Sequence, residues 1–595
     1  MKKIRFFYLI TGAALCIMTS NCIYPNITLV SSISMEEELW LNKGSSVTLT
    51  AEIYPPNASN KNVWWLNDDY NEGVLDVDAE SGVITALNTG EAVVTVFARD
   101  GSRVTGSIKI IVPDFIIEIP DSLVFDNDSY PVFTGNYLSL GNNLTVTPSA
   151  NFRNFVWSSS NTSIADVNQS GLVTGISAGN AVITISSFLD PDVSASVSII
   201  VKEITEAAVM TPQEIFESLK GQKVITYGWA DIANGGAGMT YANPENFILI
   251  DDINYPNPAN KYMAFIRANI PSPTINNNNG VISGTVNDNP KFIIISGDID
   301  LSNGRINDND KSFYDQFGLA PNYNRINANI ILNLGSNTTI IGINNARIMF
   351  GGVRINNKSN IIIRNVTFWD AHGSTDQDTR YFPDSKASID ALEIRGTSNG
   401  IWIDHCRFTN GTCSDMIRNF NHDGALDIPA GKNITVSWNE FTNHDKVMLV
   451  AGDDSLINVF DRQITLHHNY FHSTTQRMPR TRGTQMHVYN NYYNNIGVPG
   501  NNGYAMGPGV NAQFIVENNY FGSVRSNLIV SYYDSAGYPA IVWSRGNNQT
   551  VRKSIHDKTD DIKPWVPGYT YSLINNSELP TLIPERAGPT LMFVK

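Results

Sequence analysis

Charge is scarce in this 595-residue chain, at 16% of residues, and the shortfall is greater on the basic side: 41 Lys and Arg stand against 56 Asp and Glu, a formal net charge of −15. A general nucleic-acid binder needs a basic face and is excluded by that balance. An anionic sugar partner is not excluded if basic residues gather locally. Long apolar runs are missing too. Beyond the N-terminus no segment reaches the ~18 uninterrupted apolar residues that suggest a membrane span, so a soluble or tethered protein is expected. No long stretch carries the helical period of 3.6, and Asn, Ser, Thr and Gly take the place of charge, a texture that favours turns and strands. Only four cysteines occur, with Cys16 and Cys22 near the N-terminus and Cys406 and Cys413 in the body. The last two leave one disulfide open; the alternative is two small buried apolar side chains, favoured by the inward repeat position of Cys406.

Apolar content of 42% suffices for real cores, and the length suggests two to four units. Lys2, Lys3 and Arg5 followed by the apolar run Phe6 to Met18 read as an export signal. Cys22 after Thr19-Ser20-Asn21 resembles a lipid-attachment site, although Asn21 departs from the usual small residue. Lipidation at Cys22 and simple cleavage are both open. The segment Gly82-Val-Ile-Thr to Gly90-Glu-Ala-Val-Val-Thr-Val recurs as Gly171-Leu-Val-Thr to Gly179-Asn-Ala-Val-Ile-Thr-Ile, each with a tryptophan upstream, Trp65 and Trp157. Short strands in units of about 90 residues predict β-sandwiches. The two copies resemble group 2 bacterial immunoglobulin-like domains. Spacer and carbohydrate-binding roles are both open for them.

From about residue 205 the texture changes. Thr211 to Lys220 predicts a short helix, with Thr211 as cap, Pro212 at the first position and Glu214 completing a capping box; it is expected to cover the open end of the C-terminal domain. A second repeat then runs through Ile361–Phe368, Ile401–Phe408, Ile434–Phe441, Ile464–Phe471, Met486–Tyr493 and Phe514–Phe521. In each unit apolar residues alternate and an aromatic closes the unit. The uneven spacing predicts a parallel β-helix, which tolerates loops of any length between stacked strands. Two residues before the closing aromatic stand Asn439, Asn469, Asn491 and Asn519, expected to form a buried ladder that satisfies the turn backbone.

Four motifs fall within one run of coils: Ile389-Asp390-Ala-Leu-Glu-Ile394, Trp402-Ile-Asp404-His405-Cys406, Asp423-Gly-Ala-Leu-Asp427, and Asn443-His-Asp-Lys446 with Gln476-Arg477-Met-Pro-Arg480-Thr-Arg482. Successive coils lie about 4.8 Å apart, so acids distant in sequence can converge on a cation. Asp390, Asp423 and Asp427 offer hard oxygens that suit calcium; singly, each reads as a solvated or turn aspartate. Lys446, Arg477, Arg480 and Arg482 concentrate positive charge inside an acidic chain, and arginine forks match sugar carboxylates. Asp404 lies inside a strand template and reads as scaffold.

These motifs, in this order, resemble polysaccharide lyase family 1, the pectate lyases, most strongly from Thr339 to Phe521. The resemblance implies an all-β protein whose right-handed parallel β-helix catalytic domain follows two N-terminal immunoglobulin-like β-sandwiches. The expected divisions are 1–22 (signal), 23–113 and 114–202 (immunoglobulin-like) and 205–595 (β-helix). It implies calcium-dependent β-elimination of polygalacturonate to 4,5-unsaturated oligogalacturonides, with Asp390, Asp423 and Asp427 on the metal, Lys446 and Arg482 on substrate carboxylates, and Arg477 as base. Arg480, at a variable motif position, and Asp404 are given no role. An arginine's reference pKa is at least about 12.5, so a relay through water or hydroxide stays open. A calcium-independent pectin lyase on methylated substrate and a non-catalytic carbohydrate-binding adhesin are the alternatives. Polygalacturonate or pectin is the expected partner, with no nucleic acid, as a monomer. The expected location is secreted, or on the outer membrane or cell surface of a Gram-negative bacterium as a lipoprotein.

Overall fold

The structure is a computed structural model that describes residues 28–595 apart from 36–37, 69–72, 114–119, 148–154, 169–170, 188–189, 206–207, 234–237, 277–280, 305–329, 372–388, 412–422, 498–502, 525–538 and 550–562. The signal segment, Cys22 and Cys413 lie outside the described residues. In the first repeat one sheet has the order Glu38–Trp40, Thr105–Val112, Gly90–Ala98, Val63–Asn67, and a second joins Ser46–Thr48, Val83–Ala86 and Leu75–Val77. Alternation sets the core: Ala92, Val94 and Val96 are buried with Trp65, while Val93 and Phe97 face out. Gly82 has φ +71°, and a side chain there would come within 2.6 Å of the Trp65 indole, which explains a glycine at that repeat position. The second repeat reproduces the pairing, Phe155–Ser159 with Gly179–Ser187 and Tyr137–Ser139 with Leu172–Gly175 and Ala165–Val167.

The C-terminal unit is a parallel β-helix with three strands per coil. Stack A runs through Ser359–Arg364, Asn399–Asp404, Gly431–Ser437, Arg462–His467, Gln485–Tyr489, Gln513–Glu517 and Ile541–Arg545. Stack B holds Thr367–Trp369, Arg407–Thr409, Glu440–Lys446, Tyr470–Gln476, Tyr492–Ile496 and Tyr520–Phe521. Stack C holds Ile331–Leu334, Gly352–Asn356, Leu392–Arg395, Leu426–Asp427, Leu449–Val450, Arg480–Thr481 and Gly507–Pro508. The long strand Thr338–Met349 serves A and B together.

Like stacks on like. Ile361, Ile401, Ile434, Ile464, Met486, Phe514 and Val542 follow one another in register, all fully buried. The closing aromatics Phe368, Phe408, Phe441, Phe471, Tyr493 and Phe521 form a column with ring centroids 4.8–5.0 Å apart, matching the spacing of neighbouring strands. The asparagine ladder forms as expected: Asn439, Asn469, Asn491 and Asn519 each accept, through Oδ1, the backbone N–H of the preceding coil's equivalent residue, and Asn547 adds a rung that the aligned repeats do not include.

Every A-to-B turn in these coils has two residues, and the first is left-handed: Asn365, His405, Trp438, His468, Asn490 and Asn518 have φ between 47° and 60°. Asn tolerates that conformation; a bulkier side chain is less at ease there. His405, Trp438 and His468 recover contact by stacking, with centroids 5.8 and 4.4 Å apart. The second turn residue points inward as the ladder rung, so the fixed turn keeps the ladder in register. Cys406 occupies the same position and is fully buried, its thiol directed at the Ile363 and Asp404 carbonyls.

Helix α1, Pro212–Leu219, has the expected cap and capping box, but it does not close the open end. Its buried Ile215 and Phe216 pack on the outward-facing Phe292 and Ile294 of the strand Lys291–Asp300, Ile341 of Thr338–Met349, and Ile362 and Trp402 of stack A. Strands there are apolar on both faces, as parallel strands covered on both sides are, so their outer face needs a cover. The end is filled instead by α2, Pro258–Asn269, whose Tyr262, Phe265 and Ile266 join the interior with Ile293, Ile295 and Ile299. Asn257 caps α2 by accepting from the Ala259 N–H.

Candidate active site

The six candidate residues run from the end of stack B, through the B-to-C connections and stack C, to the first residue past it. Asp390 precedes Leu392–Arg395, Asp423 precedes Leu426–Asp427, Lys446 ends Glu440–Lys446, Arg477 follows Tyr470–Gln476, and Arg482 follows Arg480–Thr481. The connections stack on one another: Gly424 bridges Lys446, Lys446 pairs with Gln476, and the Met448 N–H donates to the Arg477 carbonyl. Stack C buries alternate residues such as Leu426 and Ile428, so Arg354, Glu393, Asp427, Leu449 and Arg480 form the opposite, outward row in register.

The acidic half closes on one glycine. Asp390 Oδ1 accepts from the Gly424 N–H at 2.7 Å, and Asp427 Oδ1 accepts from the Leu449 N–H at 2.8 Å. A Cβ on Gly424 would lie 2.4 Å from Asp427 Oδ1 and 2.7 Å from Asp390 Oδ1. The carboxylates thus crowd a position that only glycine can fill. Burial pushes both carboxyls up from the ordinary range. For Asp390 the charges of Asp427 and Asp423 push it further; for Asp427 the charge of Asp423 adds to burial, against the Leu449 N–H and Arg477. Such a pair is short of positive charge. Asp423 Oδ1 instead accepts from Lys446 Nζ at 2.9 Å. Among the described residues no three acids or histidines are therefore gathered in metal-holding geometry. The donor chemistry, hard oxygens crowded without a cation between them, nonetheless fits a divalent ion such as calcium.

In the basic half, Lys446 is half-buried against Asp423. Arg477 holds a left-handed backbone, φ 65°, and its Nε is buried without a partner. Non-glycine residues in that region are often kept at functional sites by their surroundings. Arg482 takes its partners from outside the other five: Nε donates to Asp454 Oδ1 at 2.6 Å and Nη1 to the Ala451 carbonyl at 3.1 Å.

Sequence motifs alone did not single out Gly424, Asp454 or Glu393. Glu393 pairs with Asp427 in register and forms ion pairs with Arg354 and Arg395; alternation in Ile389-Asp-Ala-Leu-Glu-Ile394 places it outward beside the acids. Asp404 belongs to stack A. It accepts from Arg364 and from Ser437 Oγ at 2.6 Å and pairs with His405 at 2.8 Å. Burial opposes its charge, but His405 and Arg364 outweigh burial and hold the carboxyl well below the usual range.

Residues 259–589 match a family described as pectate lyase, and residues 30–108 and 133–189 match the bacterial Ig-like domain (group 2). A pectate trisaccharide-lyase of Thermotoga maritima is 41% identical over 173 residues, which is 28% of this chain and 43% of that protein. One from Bacillus licheniformis is 32% identical over 255 residues, 42% of this chain and 67% of that protein. The chain thus spans less than half of the first of these relatives. Among solved structures, "Pectate lyase bound to hexasaccharide" is 23% identical with a TM-score of 0.46, covering 63% of this chain and 99% of that one.

Proposed function

The chain belongs to the pectate lyase family, and from that premise we propose that its β-helix cleaves polygalacturonate by calcium-dependent β-elimination. The observation that carries the reading is that coil stacking sets the acids Asp390, Asp423 and Asp427 beside Lys446 and Arg477 along stack C and the B-to-C connections. Asp390, Asp423 and Asp427 would hold the ion, and calcium bound there would supply positive charge against a substrate carboxylate, making the neighbouring C5 hydrogen more acidic.

The protein's own groups do the rest. Lys446 and Arg482 pair with galacturonate carboxylates, which places the uronate C5 over Arg477. Both cations leave protein partners to do so, Asp423 and Asp454. Release of Lys446 would leave the Asp423 carboxylate without that partner. Arg477 in its neutral form, or a hydroxide held against its guanidinium, takes the C5 proton; the C4–C5 double bond forms as the glycosidic C4–O bond breaks with its electron pair, and the leaving oxygen gains a proton from water. The product carries a 4,5-unsaturated uronide. The basic, apolar N-terminal segment supports export, with cleavage or lipidation at Cys22 placing the protein in the medium or on the cell surface.

The test is ultraviolet absorbance of the new double bond on polygalacturonate, with calcium or with a chelator. Absorbance that needs calcium supports the reading. Reducing ends without absorbance would show hydrolysis, and binding without products would leave an adhesin.

A further inference from the structure

The two immunoglobulin-like repeats share a fold but not an outer face. In the first, Trp64 pairs directly with Phe97 across neighbouring antiparallel strands, and Leu66 and Val93 lie on the same face. These four side chains are 48%, 38%, 48% and 36% exposed. The equivalent cross-strand pair in the second repeat is Val156 and Ser186, with Ser158 and Val182 at the remaining positions. The interior does not differ in this way: Trp65 and Trp157 are both buried, facing Val96 and Ile185 across the sheet. The fold therefore does not require the Trp–Phe pair, since one copy does without it. Two large rings exposed side by side on a sheet mark a contact surface.

Arg99 makes the surface specific. Its guanidinium lies over the Trp64 ring, 5.4 Å from the centroid, and pairs with Glu80 at 2.5 Å, with both side chains well exposed. An ion pair so open to water is weak, so a ligand carboxylate can compete for the cation. In the second copy the sequence has Phe188 at the position of Arg99.

We propose that this face of the first repeat is a binding site for a uronic-acid polysaccharide, with sugar rings laid on Trp64 and Phe97 and a carboxylate on Arg99. Flat rings suit the C–H faces of pyranoses, and the adjacent cation selects an acidic chain over a neutral one. The ligand class rests on polygalacturonate being the substrate of the β-helix; the site itself rests only on the contrast between the two copies.

The experiment uses the full-length protein and two variants. One carries Trp64→Val with Phe97→Ser, the residues that the second copy shows the fold accepts; the other carries Arg99→Ala. Migration through gels containing polygalacturonate gives the affinity, circular dichroism checks folding, and absorbance on soluble trigalacturonate reports turnover. The expected result is about tenfold weaker retardation for the double variant, a smaller loss for Arg99→Ala, and unchanged turnover on the soluble trimer. Equal retardation of the parent and the folded double variant overturns the proposal. So does equal retardation in neutral galactan gels, or self-association of the parent that the double variant abolishes without changing retardation. If no protein shows absorbance but the retardation difference persists, the lyase reading fails and this site stands.

Discussion

Gly424 shows how closely the acids are set, because a single methyl group would meet oxygens of both Asp427 and Asp390. Gly424→Ala is expected to weaken calcium binding by at least about tenfold, measured by titration calorimetry, with the β-helix still folded. The same crowding gives a pH signature. Asp390 and Asp427 have carboxyls raised above their unfolded values, so the stability they contribute is present at low pH and is lost as pH rises through the folded range. Carboxyls held low, such as Asp404, have the opposite sign, so the comparison must be between variants. Relative to Asp390→Asn, the metal-free parent should lose Tm as pH rises above the ordinary carboxylate range, and calcium should restore it. A parallel pH dependence for parent and variant would rule out the crowding. Arg477→Lys should abolish the absorbance change while leaving substrate binding largely intact; an active variant would reassign the base.

The two-residue turns and their ladder are the elements on which the coils depend. Asn491 Oδ1 accepts from the Asn469 backbone N–H and side-chain amide, while its own amide donates to the Leu466 and Tyr489 carbonyls and to Asn519. Asn491→Leu strands several buried groups at about 1–3 kcal/mol each, and a lowered Tm with normal turnover by the remaining folded protein is expected. Phe265→Ala in α2 should cost about 3–5 kcal/mol, because it empties part of the end plug. Repeats of this kind are legible in sequence because register forces like onto like: the aromatic column and four of the ladder rungs follow from alignment alone. The coil containing Asn547 was not legible, since Gln549 stands where the others have an aromatic. The end plug was misassigned because capping signals mark where a helix starts, not what it covers; α1 and α2 both begin with a capped Pro.

Across the β-helix, variation in chain length is kept out of the A-to-B turns. Turns from A to B keep two residues, whereas B-to-C connections run from Val447-Met448 alone to the long segments that precede Leu392 and Leu426. The acids and bases were therefore findable as motifs, but their partners were not: Asp423 with Lys446 and Arg482 with Asp454 meet through coil stacking, which no local pattern reports. Because the acids proposed as ligands come from different coils, the site doubles as a gauge of alignment. In a strand, a slip of one residue exchanges the two faces. Slipping Leu426–Asp427 against its neighbours would turn Asp427 into the apolar interior and present Leu426 or Ile428 to the groove. A chain with one coil misthreaded could keep most of its strands and its bulk yet offer no place for the cation, so calcium affinity reports correct threading in a way that overall β content does not.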